Sequence, residues 1–389
     1  MPESAFATAA ASLVTLRKIV ALRGVRVLAW EGDVLYACRG YELIYWKAPS
    51  HGARRTSDLQ WKPVARFRPA WWRNFTSQTR LSARLARDGF HALAALGDPS
   101  SVMGEDKNAA DGESLIAAVP GAIVTRTPGS GDFRVTHKIR RGTRPLHITA
   151  VPSGIVYWGE YFDNRERAEV HIYSSTDRGE TWQIAYTFPA GAIRHVHNIV
   201  YDRWGDCLWI LTGDEGAECR VLRASCDLGS VELVLAGHQQ ARAVAAIPMP
   251  DALYLSTDTP FEPNHVLRLS RDGKAEEVAR LSSSSISGCR VGEATFFSTM
   301  VEPSEFNRSR EVQIVGSADK INWQVKARWQ KDKWPMRYFQ YGNAFLPDGE
   351  NATGYLAATT IAVEHDDMVT TIWEVESSPG TAMQRPLSA

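Results

Sequence analysis

Ser174-Ser175-Thr176-Asp177-Arg178-Gly179-Glu180-Thr181-Trp182 is the stretch on which the fold reading turns. Ser175, Asp177, Gly179 and Trp182 stand in the spacing S-x-D-x-G-x-x-W. An Asp side chain accepts hydrogen bonds from backbone N–H groups of its own turn, and glycine takes a positive φ at no steric cost. Trp182 then enters the following strand as a large apolar anchor. The stretch therefore reads as a turn between two strands, and it carries architecture rather than chemistry.

Partial copies of it recur downstream. They are Ser225-Cys226-Asp227-Leu228-Gly229, Ser270-Arg271-Asp272-Gly273, and Ser317-Ala318-Asp319 followed by Trp323. Between these turns strand-sized apolar runs follow one another, and no long helical period appears. Val25 to Trp30, Val34 to Cys38, Leu43 to Trp46 and Trp61 to Phe67 form a first group of four strands. Arg144, Arg194, Arg242, Arg290 and Arg337 each open a later group, at separations of 50, 48, 48 and 47 residues. A period of that size fits four-stranded propeller blades. The prediction is an all-β chain, a single β-propeller of seven four-stranded blades over residues 21–376. A lead segment precedes it at 1–20, read as a short helix or an unordered stretch, and a tail follows at 377–389. The second blade is expected to begin near Arg80. The polar run Gly97 to Ser114 is expected as a mobile loop between its second and third strands, over the functional face.

Forty-four basic and 44 acidic residues among 389 give a formal net charge of zero, so bulk electrostatics supply no attraction for nucleic acid. The five cysteines include no C-x-x-C pair, and buried free thiols are expected. Met1 to Val14 has no basic start, which argues against a secretory signal and for a cytoplasmic protein. No apolar run is long enough to span a membrane. There is no H-E-x-x-H, P-loop, G-x-S-x-G or dinucleotide fingerprint, and no cofactor or metal is predicted.

In a propeller blade the connection into strand 1 and the loop between strands 2 and 3 open on one face. The turn between strands 3 and 4 opens on the other. The Ser-x-Asp turns thus mark the structural face, and the candidate site falls opposite. Blade openings supply Arg144, Arg194, His195, His197, Arg242, Arg290, Arg337 and Tyr338; loops after strand 2 supply Glu160, Tyr161, Asp214, Glu215 and Asp258. Strand alternation aims His195 and His197 to one side and Val196 to the other. Three uses are open to the two histidines: bonding within a crowded channel, catalysis or substrate binding, and metal ligation. The arginines and carboxylates either pair with each other across blades or, as forks, hold an anionic ligand.

The S-x-D-x-G-x-x-W turn resembles the Asp-box, or bacterial neuraminidase repeat, of sialidase-like β-propellers. Phe67-Arg68-Pro69 lacks the residue that the Phe/Tyr-Arg-Ile-Pro motif of sialidases carries between Arg and Pro, so no role passes to Arg68. The chain is also similar in type to propeller polysaccharide lyases. That resemblance implies action on an acidic, uronic- or sialic-acid-containing oligo- or polysaccharide, by β-elimination or by hydrolysis. Elimination needs the carboxylate neutralised, a base at the acidified C–H and a proton donor for the leaving oxygen. On this expectation His195, His197, Tyr161 and Glu160 are catalytic. Arg144, Arg194, Arg242, Asp214, Glu215, Asp258, Arg290, Arg337 and Tyr338 bind the substrate. The alternative is a non-catalytic propeller that binds a glycan or protein partner, in which arginines and carboxylates pair with each other.

Overall fold

The computed structural model describes residues 13–49, 60–70, 89–97, 112–336 and 340–378. Seven antiparallel sheets follow one another around a ring. Strand β1 (Leu13–Arg23) comes first and is used last. Blade one holds β2 (Arg26–Gly32), β3 (Val34–Arg39), β4 (Glu42–Lys47) and β5 (Lys62–Arg66). Blade two holds β6 (Ala92–Leu96), β7 (Ser114–Val119), β8 (Ala122–Arg126) and β9 (Arg134–Lys138). Blade three holds β10 (Thr149–Ala150), β11 (Val156–Gly159), β12 (Val170–Ser175) and β13 (Gln183–Phe188). Blade four holds β14 (Val196–Asp202), β15 (Cys207–Thr212), β16 (Arg220–Ser225) and β17 (Val231–Ala236). Blade five holds β18 (Ala243–Pro248), β19 (Ala252–Thr257), β20 (Asn264–Ser270) and β21 (Ala275–Leu281). Blade six holds β22 (Ser285–Val291), β23 (Ala294–Thr299), β24 (Glu311–Ser317) and β25 (Gln324–Gln330). Then come β26 (Asn343–Phe345), β27 (Asp348–Asn351), β28 (Tyr355–Ile361) and β29 (Val369–Ser378).

Blade seven runs β26-β28-β29-β1 from the inside out. The first described strand is thus its outer edge, paired with β29 from Leu13↔Ser378 to Arg23↔Val369. Residues 13–20, read from the sequence as part of a lead segment, close the ring instead. Pairing with β29 satisfies the edge that β29 would otherwise expose. Two side chains sew the same seam: Val27 N–H donates to Thr359 Oγ1 at 2.9 Å, and the Thr370 hydroxyl to Val25 O at 2.7 Å.

Second strands such as β15, β19 and β23 are buried at every position. A neighbouring blade covers each face, and the sequence accordingly shows unbroken apolar runs rather than alternation. The apolar core divides into layers between adjacent blades. Trp30, Leu35 and Trp46 of blade one meet Tyr355, Ala357 and Ile372 of blade seven. Leu208 and Ile210 of blade four meet Tyr157 and Ile172 of blade three.

The Ser-x-Asp turns join strands 3 and 4. In the intact copy the Ser175 hydroxyl donates to Asp177 Oδ1 at 2.7 Å, and Asp177 Oδ1 accepts the Glu180 and Thr181 N–H groups at 3.1 and 2.9 Å. Gly179 has φ +88°, and a Cβ there would press on Ile116 and Thr125 of blade two. The turn is therefore also a contact between blades. Asp227, Asp272 and Asp319 accept the same local Ser hydrogen bond in the weaker copies.

One loop placement differs from expectation. The run after Leu96 joins strands 1 and 2 of blade two, not strands 2 and 3, so it leaves from the Ser-x-Asp face. Arg178 of the intact turn donates to the carbonyls of Leu96 and Gly97 at 2.7 and 2.8 Å. Residues 98–111, and the mobility expected of them, lie outside the described residues, as does Arg80. Among the described residues no helix is long and apolar enough to cross a membrane.

Candidate functional site

The connections into strand 1 and the loops after strand 2 surround a funnel of about 1930 Å³. Its floor is β27, which leaves blade seven and pairs in parallel with β2 from Ala29↔Asp348 to Gly32↔Asn351. From there Asp348 accepts from His147 of blade three at 2.8 Å, and Glu350 pairs with Arg203 of blade four at 3.1 Å. Contacts to blades one, three and four place β27 inside the ring.

Four inner strands carry a β-bulge at the same level. The register slips at Leu28, His197, Val244 and Ile286. All four residues line the funnel. A bulge inserts one unpaired residue and re-aims its side chain. Of the four, only His197 is titratable.

His195 and His197 are both buried. Their Nε2 atoms face each other at 3.1 Å. Their Nδ1 atoms bond backbone carbonyls: His195 to Phe162 O at 3.0 Å and His197 to Ala243 O at 2.9 Å. Asp214 reaches in from the loop after β15, with Oδ2 3.5 Å from His195 Nε2 and Oδ1 3.4 Å from His197 Nε2. Burial lowers the His197 pKa, and His195 and Arg242 reinforce this against Asp214. Burial also disfavours the Asp214 charge, but the neighbouring His195 and His197 outweigh it and hold Asp214 far below the usual carboxylate range. Tyr161 packs its ring 4.2 Å from that of His195. Burial, with Asp214 and Asp258 near, pushes its phenol up to about 12. At neutral pH the phenol keeps its proton and suits giving one rather than taking one.

Arg194 and Arg242 flank this centre and pair with aspartates, each keeping a buried Nε without a hydrogen-bond partner. Arg194 pairs with Asp163 at 2.6 Å and Asp214 at 3.2 Å. Arg242 pairs with Asp214 at 3.3 Å and Asp258 at 3.5 Å. Burial pushes the Asp258 carboxyl up to about 7, Glu302 and Asp214 adding to this and Arg242 opposing it. The arginines expected to grip an anionic group thus hold aspartates of neighbouring loops.

The structure brings His195, His197, Tyr161, Asp214, Arg194, Arg242, Asp258 and Arg144 to the funnel. It does not bring Glu160, whose buried carboxylate accepts from Arg141 at 2.9 Å and from the His171 N–H at 2.9 Å within blade three. Glu215 is exposed beside Arg167, away from the funnel. Arg290 lies at the far end of β22, on the Ser-x-Asp face, where it donates to Gly292 O and stacks 5.1 Å over Trp204. Its spacing of 48 from Arg242 is a coincidence of loop length, because blade six opens at Ser284-Ser285. Arg337 and Tyr338 lie outside the described residues.

Sequence reading missed the opposite wall. Arg23, Arg26 and Arg39 line the funnel from blade one and its seam with blade seven. Arg26 lies 4.6 Å over the Phe345 ring and 3.0 Å from His91 Nδ1, and its buried Nε has no partner. Burial lowers its pKa. Arg23 and Arg39 are exposed, and none of the three has a carboxylate partner within ion-pair distance among the described residues. Their usable signal was position: each stands at a strand end beside a connection into strand 1 or a loop after strand 2. The described cysteines are all free, and four are buried. Burial raises the Cys38, Cys207, Cys219 and Cys226 thiols to about 11, so none offers a thiolate at neutral pH.

No family model matches the chain, and no curated protein does. Solved structures match its fold. The WD40 β-propeller domain of Doa1 is 11% identical with a TM-score of 0.52, over 93% of this chain and 97% of that one. The β-propeller domain of Cps50 (Swd1) from Myceliophteria thermophila is 11% identical with a TM-score of 0.54, over 93% of this chain and 100% of that one. YCF48 bound to D1 peptide is 11% identical with a TM-score of 0.51, over 92% and 99%. These likenesses carry the propeller fold alone. The resemblance to sialidase-like proteins therefore reduces to that fold and to the geometry of the Ser-x-Asp turns.

Proposed function

We propose that the funnel binds an anionic ligand, an acidic glycan, between the arginines of blade one and the His195–His197–Asp214 centre of blade four. The observation that carries this reading is the segregation of charge. On one side Arg194 and Arg242 are neutralised by Asp163, Asp214 and Asp258. On the other, Arg23, Arg26 and Arg39 reach the same funnel with no carboxylate within ion-pair distance among the described residues, Asp348 acting on Arg26 from beyond it. A guanidinium left without a carboxylate in a recessed site favours a bidentate anion such as a carboxylate or sulfate. The ligand-holding role thus moves from the arginines of blades four and five to those of blade one.

The test is binding of uronic- and sialic-acid oligosaccharides against neutral ones of equal length. Acidic ligands are expected to bind, more weakly as salt rises, and Arg23→Ala/Arg39→Ala to weaken them by about tenfold or more. New unsaturated ends would mark elimination, and new reducing ends hydrolysis. Equal binding of neutral and acidic oligosaccharides, or none of either, would overturn the reading. A second reading is a non-catalytic, partner-binding propeller, favoured by the mutual pairing of Arg194 and Arg242 with aspartates. Acidic peptides that bind where no acidic glycan does would establish it in place of the first.

A further inference from the structure

The geometry points to a divalent transition-metal site, zinc by its donor chemistry, held by Nε2 of His195, Nε2 of His197 and the Asp214 carboxylate. The inference deepens the reading above and rests on it for the role of the site; the presence of the metal is tested without any glycan.

The argument begins with the backbone. Phe162 O and Ala243 O can only accept hydrogen bonds. Each therefore requires a hydrogen on the Nδ1 it meets, at 3.0 Å from His195 and 2.9 Å from His197. That assignment leaves both Nε2 atoms with lone pairs, directed at one point and only 3.1 Å apart. Two lone pairs facing at that distance repel unless a cation lies between them. A carboxylate completes the cluster, each oxygen within 3.5 Å of one imidazole. The three donor atoms lie within 4.8 Å of one another.

This is the arrangement that metal-ligating histidines adopt: one ring nitrogen on the metal and the other donating to a carbonyl, which fixes tautomer and orientation. Ligands at roughly 2.0–2.1 Å from one ion stand about 3.3 Å apart at the tetrahedral angle, close to the separation found. Two imidazoles and one carboxylate suit zinc and its neighbours rather than calcium or magnesium. Three protein ligands leave a position open toward the funnel, as in catalytic rather than structural zinc sites. The two flanking arginines do not forbid a cation, because Asp163 and Asp214 pair with them and Asp258 and Glu302 lie beside Arg242. Arg194 and Arg242 each hold one oxygen of Asp214 and fix where the carboxylate stands. The rival occupant of the gap is a proton shared between the imidazoles.

The full chain is stripped with a chelator and titrated with Zn²⁺ by calorimetry, and with Co²⁺ by visible absorption. The expected result is one ion per chain and a low-symmetry Co²⁺ spectrum. His195→Ala/His197→Ala abolishes both signals, and Asp214→Asn lowers affinity by about 10–100-fold. Arg23→Ala/Arg39→Ala leaves them unchanged, which separates failure of the metal from failure of the anionic ligand. Should the histidine variants not fold, the wild-type protein still decides. Long-range ¹H–¹⁵N spectra then show two Nδ1–H tautomers whose Nε2 resonances move when Zn²⁺ is added. Failure of the stripped wild-type chain to bind Zn²⁺ or Co²⁺ at a single site would overturn the proposal. So would unchanged affinity in the folded double variant.

Discussion

Asp202 shows how one side chain joins blades at the face opposite the funnel. It is fully buried at the end of β14. It accepts from the Trp209 indole at 2.9 Å and from the Trp204 and Gly205 N–H groups at 3.0 and 3.2 Å, and it pairs with Arg271 of blade five. Burial opposes its charge, but Arg271, Trp209 and Gly205 hold its pKa below the ordinary value. A depressed folded pKa gives stability that is present above the unfolded value of about 3.9 and is lost as pH falls through the folded one. Asp202→Asn is expected to cost about 3–5 kcal/mol near pH 7, as when one partner of a buried pair is removed. Denaturant midpoints of variant and parent should converge as pH drops below about 4; a constant gap would refute the assignment. Trp182 is a smaller case than its motif implied. It is half-buried, donates to Thr136 of blade two at 3.3 Å and packs 6.2 Å from Trp158. Trp182→Ala should cost about 2–3 kcal/mol rather than the ~3–5 of a fully buried aromatic. Gly179→Ala, with φ > 0 and contacts on Ile116 and Thr125, should cost about 2–4 kcal/mol. Equilibrium unfolding measures both.

Two elements do what no other described strand does. β1 covers the edge of β29 and places Val14 in the core between blades six and seven. A chain beginning at Gly24 would expose that edge and that apolar surface. It is expected to lose cooperative unfolding or to self-associate, read by denaturant curves and light scattering. Retention of parental stability would show the seam to be dispensable. β27 crosses the ring interior because Gly349, at φ +84°, lets its backbone approach the Trp30 carbonyl closer than any Cβ permits. Gly349→Ala should therefore displace the floor of the funnel and weaken ligand binding more than it lowers the melting temperature of blades three to five. A variant that binds as the parent does would show the floor to be irrelevant to the site.

For the whole molecule, ring closure is the costly step. Pairing β1 with β29 joins residues more than three hundred positions apart, and such contacts form late and open first. Hydrogen exchange is expected to be fastest in β1 and the three-residue β26, and slowest in β15 and β19, which are buried throughout. Uniform protection around the ring would contradict this order. The funnel lies at the centre of that ring, with walls from all seven blades, so its geometry depends on closure.

The sequence by itself determined the blades wherever the repeat is local. Unbroken apolar runs set the first blade and, bounded by Ser-x-Asp turns, blades three to five, because strand length, turn chemistry and two-sided burial are all encoded within a few residues. It also marked His195, His197 and Asp214, through position in a blade. Only the tertiary structure decided what those residues do. The bulge at His197 arises in its pairing with β15, and the Nδ1 partners Phe162 O and Ala243 O and the pairing of Arg194 with Asp163 and of Arg242 with Asp214 arise between blades. Arg290 fell on the wrong face because a period counts residues, whereas its place depends on loop lengths that vary from blade to blade. β1 and β27 stayed hidden for the same reason. Their partners are a strand at the far end of the chain and a strand across the ring, and nothing near them in sequence states that they will meet.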